Sequence, residues 1–374
     1  MSASRSVAAL AAFTEVAACP TARAAFTQGV DLDGLLAGTG YDAAFGQSEY
    51  AFARGTRFEA IVKGDRGNGV CSYGPMLELL RDDLGFDISQ ARAANLRALH
   101  PPPPPHRLAT DKRHLVARAA DTRRLVGEIA RAVPGCVNFI DGAVLSATVG
   151  GQEAFYETDG LAFRLGGQLR IVEIKSFPKV DGQVDAAALA SALDQGALYT
   201  LLVERLLADL GLEASLVSRR LVLICPRNVA MTPCLSERDV SARMRRIERL
   251  LDGIPSAGAQ PVAPFADAAR ATGRTVIERV AALEQICDQV GTCYGDACQS
   301  CGMLRLCRER AHASGDVRSL GERRARELAG VPTLQRAVAL AGGSTPTTPE
   351  VGAARTLRAV ATLRDSALTR TVPA

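Results

Sequence analysis

The apolar positions of residues 1–100 recur with the three- to four-residue spacing of amphipathic helices. Five consecutive prolines then occupy positions 101–105. Because proline has a fixed φ and no backbone N–H donor, this run predicts a stiff, extended spacer that ends the helical region. The helices predicted before the spacer cover Val7–Ala18, Glu49–Val62, Pro75–Asp83 and Ile88–Leu99.

After about residue 110 the pattern changes to strands that alternate with helices. Gly166-Gly167 is typical of a hairpin turn between two of these strands. The order of the elements predicts an α/β core. The predicted helices cover Arg113–Ala132, Asp185–Leu210 and the basic stretch Ser236–Leu251, and the predicted strands cover Cys136–Thr148, Ala154–Arg164, Gln168–Phe177 and Leu221–Cys225.

The strand pattern ends after the core. Residues 253–264 predict a loop, and Ala266–Val290 and residues 319–329 predict helices. Low-complexity residues 342–349 are predicted to be disordered, and Ala353–Leu368 is predicted to be helical. We therefore expect four segments: a helical region over 1–105, a core over 106–255, a cysteine-bearing segment over 256–312, and a C-terminal helix with a partly disordered tail over 313–374.

Composition favours a cytoplasmic protein over a secreted or membrane protein. No run of about 18 apolar residues is free of charge, so a membrane span is not expected. Glu15 interrupts the apolar N-terminal run, which favours a folded helix over a signal peptide. Ten cysteines in 374 residues are unlike a small disulfide framework and fit a reducing compartment. The net charge of +4 permits nucleic-acid binding without arguing for it.

Three charged residues lie on the two strands that flank the predicted hairpin turn. Asp159 is on the first strand, and Glu173 and Lys175, two residues apart on the second, are expected to face the same side. Charges on a buried strand are costly unless they are paired or bind a metal. Asp159 and Glu173 are candidate ligands of Mg²⁺, with Lys175 beside the attacking water. The alternative is a simple Glu–Lys ion pair.

The long apolar helix that follows carries two polar residues on one face. Gln195 and Tyr199 are four residues apart and supply an amide and a hydroxyl. Such a pair can reach a DNA phosphate or brace the active lysine. The alternative is an ordinary pair at the edge of the core.

Asp159, the triplet Glu173-Ile-Lys175 and Gln195-x-x-x-Tyr199, in this order, resemble the motifs of the RecB-like branch of the PD-(D/E)XK nucleases. The resemblance covers about residues 7–310. It implies a mixed central sheet flanked by helices and metal-dependent hydrolysis of DNA phosphodiester bonds. All five side chains in these motifs are then expected to act in catalysis.

The same branch carries an upstream glycine that is followed four residues later by His or Glu. Gly55 and Glu59 match this motif, so the resemblance implies that Glu59 joins Asp159 and Glu173 as a ligand of Mg²⁺ or Mn²⁺. Glutamate departs from the commoner histidine here. An oxygen ligand in place of a nitrogen ligand favours Mg²⁺ over Mn²⁺. The alternative is an exposed helical glutamate.

Three cysteines are closely spaced in Cys298-x-x-Cys301-x₅-Cys307. Thiolates at short spacing can converge on one centre, and four cysteines commonly hold an iron–sulfur cluster or a structural zinc ion. The scattered cysteines, Cys287 among them, are expected to be small core residues.

The cysteine triplet resembles that of CRISPR-associated RecB-like nucleases and AddB-type recombination nucleases. In those families a fourth cysteine lies far upstream, so the resemblance implies a structural 4Fe–4S cluster that clamps the two ends of the chain together. Cys19 fits that place. Cys293 is the competing candidate and Cys71 the third, and zinc is the alternative to iron.

The resemblance implies DNA as the substrate, single-stranded or at ends, and a helicase or a defence complex as a partner. The main alternative is a catalytically inactive nucleic-acid-binding protein with a zinc- or cluster-stapled fold. A redox protein that transfers electrons through the cluster is another. Basic residues suited to phosphate contacts are Arg54, Arg57, Lys179, Arg219, Arg220, Arg227, Arg243, Arg245, Arg246, Arg249, Arg305, Arg308 and Arg310.

Overall fold

In the computed structural model, the chain folds into two compact units. The described residues of the first unit lie between 49 and 252, and those of the second lie in 19–41 and 275–370. The predictions for Val7–Ala18 and for Cys293 fall outside the described residues. The structure describes residues 19–27, 32–36, 38–41, 49–65, 67, 70–104, 112–149, 152–165, 167–228, 230–252, 275–292, 294, 298 and 301–370.

A mixed sheet forms the centre of the first unit, in the order β1-β2-β5-β6-β7-β8. The β1–β2 and β6–β7 pairs are parallel, and the other neighbouring pairs are antiparallel. Strands β3 and β4 form a separate hairpin. The α/β class predicted from the sequence is confirmed. The strands are β1 (Ala93–Asn95), β2 (Phe139–Asp141), β3 (Val144–Val149), β4 (Gln152–Glu157), β5 (Gly160–Leu165), β6 (Gln168–Ile174), β7 (Arg220–Pro226) and β8 (Pro233–Asp239).

Helices occur in both units. No helix within the described ranges is long and apolar enough to cross a membrane. The helices of the first unit are α3 (Glu49–Lys63), α4 (Gly74–Leu84), α5 (Leu96–Leu99), α6 (Arg113–Ala130), α7 (Ala186–Asp209) and α8 (Ser241–Asp252). Those of the second unit are α1 (Pro20–Thr27), α2 (Leu32–Leu36), α9 (Val276–Val290), α10 (Leu304–Ser314), α11 (Glu322–Glu327), α12 (Leu334–Ala341) and α13 (Val351–Arg370).

One face of the sheet packs against α3 and α4. Val172 and Ile174 of β6 share a buried core with Phe58 of α3 and Met76 of α4. Side chains alternate along a strand, so Glu173, which lies between these two apolar residues, points to the opposite face. The apolar alternation of β6 therefore fixes the direction of a functional side chain.

Helix α7 packs closely against β7 at Gly196. A Cβ added to Gly196 would lie 2.4 Å from Cδ2 of Leu221, a fully buried side chain of β7. The absence of a side chain therefore lets the helix approach the strand. This approach also sets the position of the neighbouring residue Gln195.

We expect Gly196→Ala to lower the free energy of unfolding by about 1–3 kcal/mol, because the added methyl group overpacks the core against Leu221. Gly55→Ala in α3 is the matched control, since its Cβ would meet only Oγ of Ser176 at 3.8 Å. The control should be stabilised by about 0.5–1 kcal/mol, because alanine favours a helix. Urea unfolding of the full chain measures both, and equal effects would contradict the packing argument.

Two elements predicted in the first unit are partly wrong, because sheet pairing overrides the local pattern. The helix predicted over Ile88–Leu99 is instead a 3₁₀ turn, the short strand β1 and the one-turn helix α5. Ala94 of β1 pairs with Ile140 of β2. The single strand predicted over Ala154–Arg164 is divided into β4 and β5, which belong to different sheets.

The helix predicted over Ser236–Leu251 is also wrong in its first part. Residues Pro233–Asp239 form β8, and the helix begins only at Ser241. The full length of β8 pairs with β7, from Pro226↔Pro233 to Arg220↔Asp239. A local period cannot show that an adjacent buried strand is available for pairing.

The second unit combines residues from the two ends of the chain. Ala25 of α1 and Leu35 of α2 share a buried core with Leu283 of α9 and Leu306 of α10. Both the backbone N–H and the hydroxyl of Thr21 donate to the carbonyl of Gly291, at 3.2 and 2.7 Å. Residues 19–41, expected within an N-terminal region over 1–105, thus belong with the C-terminal residues.

The prediction of disorder over residues 342–349 is wrong. Arg336 of α12 forms an ion pair with Glu350 at 2.6 Å, and Arg358 of α13 donates to the carbonyl of Ser344 at 2.6 Å. The arginines of two helices thus satisfy polar groups of the loop and of the turn that follows it. Low-complexity composition does not reveal these partners, because they lie outside the segment.

Candidate metal centre

Asp159, Glu173 and Lys175 meet at the junction of β5 and β6. Nζ of Lys175 lies 2.6 Å from Oε2 of Glu173 and 3.3 Å from Oδ2 of Asp159. Asp159 directly precedes β5, and its Oδ2 also accepts a hydrogen bond of 3.1 Å from the N–H of Ile174. The structure therefore brings together the three side chains that the sequence singled out.

The carboxylate of Glu173 is fully buried, with a side-chain exposure of 0%. Neither of its oxygens has a hydrogen-bond partner of acceptable geometry, although Lys175 lies close to Oε2. Burial raises the pKa of Glu173 to about 8, against the opposing charge of Lys175. A fully buried carboxylate that has only one ammonium beside it is costly, and a hard divalent cation would relieve that cost.

The two charged neighbours of Glu173 are the carboxylate of Asp159 and the ammonium of Lys175. Burial raises the pKa of Asp159, but the charges of Lys175 and Lys63 and the N–H of Ile174 outweigh it, so this pKa lies below its usual range. Burial lowers the pKa of Lys175, but Asp159 and Glu173 outweigh it and hold the pKa above its usual value. The site thus keeps an ammonium and at least one carboxylate charged at neutral pH.

Two carboxylates fit the chemistry of Mg²⁺, which usually takes one or two protein carboxylates together with waters and a substrate oxygen. Within the described ranges, no three His, Cys, Asp or Glu side chains are arranged as a ready-made metal site. Asp159 and Glu173 are therefore a pair of carboxylates that could hold such an ion together with waters.

Gln195 and Tyr199 are both buried. Nε2 of Gln195 donates to the hydroxyl of Tyr199 at 2.8 Å, and that hydroxyl donates to the carbonyl of Glu157 at 2.6 Å. The pair therefore fixes the end of β4, two residues before Asp159. This bonding differs from both roles considered from the sequence, contact with a DNA phosphate and support of the active lysine.

Glu59 does not join Asp159 and Glu173 in the structure. Its Oε1 forms ion pairs with Lys63 at 2.6 Å and with Arg97 at 3.0 Å. Its charge is therefore already balanced by two cations. The spacing of Glu59 and Lys63, four residues apart on α3, is a local pattern from which this pair could have been predicted.

Sequence reasoning also missed a second ionic group beside the site. Glu157 of β4 forms ion pairs with Arg97 and with Arg118, the latter at 2.8 Å. Burial raises the pKa of Glu157, but the two arginines outweigh it and hold the pKa below its usual range. Because the partners lie 39 and 60 residues away, no local pattern reveals them.

Four cysteines of the second unit lie near one another: Cys19, Cys287, Cys301 and Cys307. Cys287, Cys301 and Cys307 pack in or against one buried core, and the thiols of Cys287, Cys19 and Cys301 contribute to raising the pKa of Cys307. Cys287 is a buried core residue, as expected, and its thiol also interacts with that of Cys307. The sequence did not indicate this second feature, because Cys287 lies 11 residues before Cys298, inside an apolar helical stretch.

The remaining cysteine candidates are placed differently. Cys298 is close enough to Tyr294 to contribute to the raised pKa of that phenol, as does Cys307. Cys71 lies in the first unit, where it interacts with Tyr73. Thiols from both ends of the chain have the donor chemistry of an iron–sulfur cluster or of zinc, but among the described residues they are not arranged as a ready-made metal site.

Many of the basic residues proposed to contact DNA have acidic partners. Arg219, Arg220 and Arg243 form ion pairs with Glu204, Glu237 and Asp194, respectively, and Arg310 pairs with Asp288. These arginines balance protein charge and are less suited to bind phosphate.

Lys179 and Arg227 lie side by side beyond the parallel β6–β7 pair, where they form an isolated bridge. Neither has an acidic partner within the described part of the chain. Arg57, which is exposed on α3, also has none there. These three residues, like Arg54, Arg245 and Arg249, have no ion pair within the described ranges and are therefore better candidates for phosphate contacts.

Comparison with family models, with curated proteins and with solved structures found no match to this chain.

Proposed function

We propose that the first unit is a metal-dependent deoxyribonuclease of the PD-(D/E)XK type. The observation that carries the proposal is the fully buried carboxylate of Glu173, which lies 2.6 Å from an ammonium that Asp159 also contacts at 3.3 Å. Two carboxylates that share one ammonium at a largely buried position carry an excess of negative charge, which a divalent cation would balance. A mixed sheet flanked by helices also supports this type of core.

The residues of the site have distinct roles in the proposed reaction. Asp159 and Glu173 hold one Mg²⁺ or Mn²⁺ ion, which when bound polarises the phosphodiester and lowers the pKa of water. Lys175 orients the attacking water and offsets the negative charge that develops on the phosphate. The Gln195–Tyr199 pair is a positioning element, because it fixes the strand end that precedes Asp159.

The expected substrate is DNA, single-stranded or at ends. Lys179 and Arg227 extend the parallel strand pair beyond Lys175 and supply positive charge without acidic partners in the described ranges. Phosphate contacts of this kind make affinity fall as salt rises. A helicase or a defence complex would supply such DNA in the cell, and the proposed location is the cytoplasm.

The proposed cofactor of the second unit is a 4Fe–4S cluster with a structural role. Cys19 and Cys307 lie in the same thiol group, which joins the two ends of the chain, and Cys301 is part of it. Either Cys298 or Cys287 completes a set of four. Zinc is the alternative metal, and the metal content of anaerobically purified protein distinguishes the two.

We expect the full chain to cleave labelled single-stranded DNA in the presence of Mg²⁺ or Mn²⁺. Addition of EDTA, which removes the metal ion, should stop the cleavage. Asp159→Asn should lower the rate about 100-fold or more, because it removes one charged ligand of the metal. Labels at the 5′ and 3′ ends report polarity and endonuclease or exonuclease action. The measurement is the single-turnover rate, with DNA affinity determined in parallel.

Asp181→Asn is the matched control, because Asp181 is exposed in a turn of the same unit. It should cleave at the wild-type rate. DNA binding without any cleavage by the wild-type chain would instead establish the inactive nucleic-acid-binding protein and overturn the proposed function.

A further inference from the structure

Lys63 is a buried cation that the proposed reaction does not use. Its side chain is only 4% exposed, and Nζ lies 2.6 Å from Oε1 of Glu59 and 2.6 Å from Oδ1 of Asp141. Two carboxylates from distant parts of the chain, on α3 and at the end of β2, thus converge on one ammonium. A metal ion held by two carboxylates would occupy a similar position.

The two carboxylates are held in place by further bonds. The hydroxyl of Tyr73 donates to Oδ2 of Asp141 at 2.9 Å, and Arg97 lies 3.0 Å from Oε1 of Glu59. Burial lowers the pKa of Lys63, but Asp141 and Glu59 outweigh it and raise the pKa above its usual value. The ammonium is therefore a permanent charge in a fixed place.

This ionic group lies next to the proposed metal site. Ile140 of β2 pairs with Leu161 of β5, so Asp141 lies beside the beginning of β5, where Asp159 precedes the strand. The charge of Lys63 is close enough to lower the pKa of Asp159, after that of Lys175. Asp159, a ligand of the proposed metal ion, thus also interacts electrostatically with the ammonium of Lys63.

We propose that the Lys63 ammonium takes the place of a second divalent ion, so that the nuclease works with one metal ion. The proposal rests on the proposed function. Many hydrolases of phosphodiesters hold two ions about 4 Å apart, and the second ion stabilises charge on the leaving oxygen. Here the ammonium of Lys63 pairs with Glu59 and Asp141, the two carboxylates that would otherwise bind such an ion. The positive charge of Lys63 also opposes the entry of another cation.

The proposal also assigns Glu59 a role that differs from the one implied by the sequence. Glu59 holds Lys63 and does not bind the catalytic ion. Lys63 and Glu59 are positioning residues, because they act on the site through Asp141 and Asp159. This arrangement predicts a metal stoichiometry that can be measured without any assay of activity.

The test is a titration of the full chain with Mn²⁺. Calorimetry and the electron paramagnetic resonance signal of free Mn²⁺ both measure how many ions bind. We expect about one Mn²⁺ per chain for the wild type and about two for Lys63→Ala, because that variant frees Glu59 and Asp141 to bind an ion. The double variant Lys63→Ala/Asp141→Asn should return to about one. Thermal denaturation should show a larger stabilisation by Mn²⁺ for Lys63→Ala than for the wild type.

Glu59→Gln is a second variant that does not remove a buried cation. Its Mn²⁺ affinity should stay within about threefold of the wild type, whereas loss of a direct ligand would lower it by tenfold or more. Two ions in the wild type, one ion in Lys63→Ala, or a tenfold loss in Glu59→Gln would each overturn the inference. If Lys63→Ala stays unfolded, the wild-type stoichiometry and Glu59→Gln still decide it. A wild type that binds no Mn²⁺ and cleaves no DNA would instead refute the proposed function.

Discussion

Replacing Lys175 by methionine is expected to lower metal-dependent DNA cleavage by about 100- to 1,000-fold, while DNA affinity changes little. Methionine keeps the length of the side chain and removes only the ammonium, which lies 2.6 Å from Glu173 and 3.3 Å from Asp159. The Lys175 side chain retains 22% exposure, so its charge can reach a water molecule and a phosphate. Single-turnover cleavage at saturating metal and DNA measures the effect on the chemical step.

Lys112→Met is the matched control for this variant. Lys112 is exposed immediately before α6 and forms no ion pair within the described residues. The same loss of charge there should leave the cleavage rate unchanged. If Lys175→Met cleaved as fast as this control, the proposed role of the ammonium would be wrong.

The pH dependence of metal binding gives a second readout of the same variant. Burial raises the pKa of Glu173 from 4.5 to about 8, so the metal-free fold favours the protonated carboxyl and loses stability as pH rises through about 8. Metal requires the carboxylate, so its apparent affinity should rise about tenfold per pH unit below that pH. Lys175→Met removes the charge that opposes the shift and should move this rise to higher pH. Calorimetric Mg²⁺ titrations between pH 6 and 9 test both expectations.

The second large effect is expected in the thiol group. Cys307→Ser should lower the iron content from about four atoms per chain to near zero and abolish the visible absorbance of the cluster. Cys307 interacts with Cys287, Cys19 and Cys301, so its loss removes the thiol that is central to the group. The second unit should then be destabilised by several kcal/mol, because metal binding contributes to folding free energy. Iron analysis and thermal denaturation of anaerobically purified protein measure these changes.

Cys136→Ser is the control, because Cys136 lies in the first unit and should leave the iron content unchanged. Cys287→Ser and Cys298→Ser then identify the fourth ligand, since only the variant of a true ligand should lose iron. Zinc in place of iron in the wild type would favour the alternative metal. A Cys307→Ser protein with full iron content would contradict the proposed cluster.

Part of the candidate site follows from local rules. The two-residue period of a strand places Glu173 and Lys175 on one face, and the short turn after β5 brings Asp159 to them. The α/β class follows from the alternation of elements in the middle of the chain. These features depend on residues that are close in sequence, which is why patterns reveal them.

The rest of the site depends on partners that are far apart in sequence. Lys63 and Asp141 are 78 residues apart, and no pattern in either segment indicates that they pair. The same reason explains β8, whose strand conformation depends on the adjacent β7. Cys287 is a core residue, as its apolar neighbours predict, and those neighbours give no sign of its interaction with Cys307.

The hydrogen bonds from Thr21 to Gly291 have a consequence for biosynthesis. Residues 19–41 leave the ribosome before their packing partners, and Gly291 lies 270 residues after Thr21. Domains generally fold as units during synthesis, so residues 49–252 can fold before the C-terminal half of the other unit exists. The helices α1 and α2 must therefore wait for translation of residues 275–314, and the proposed cluster, whose thiols come from both segments, would be inserted only after that.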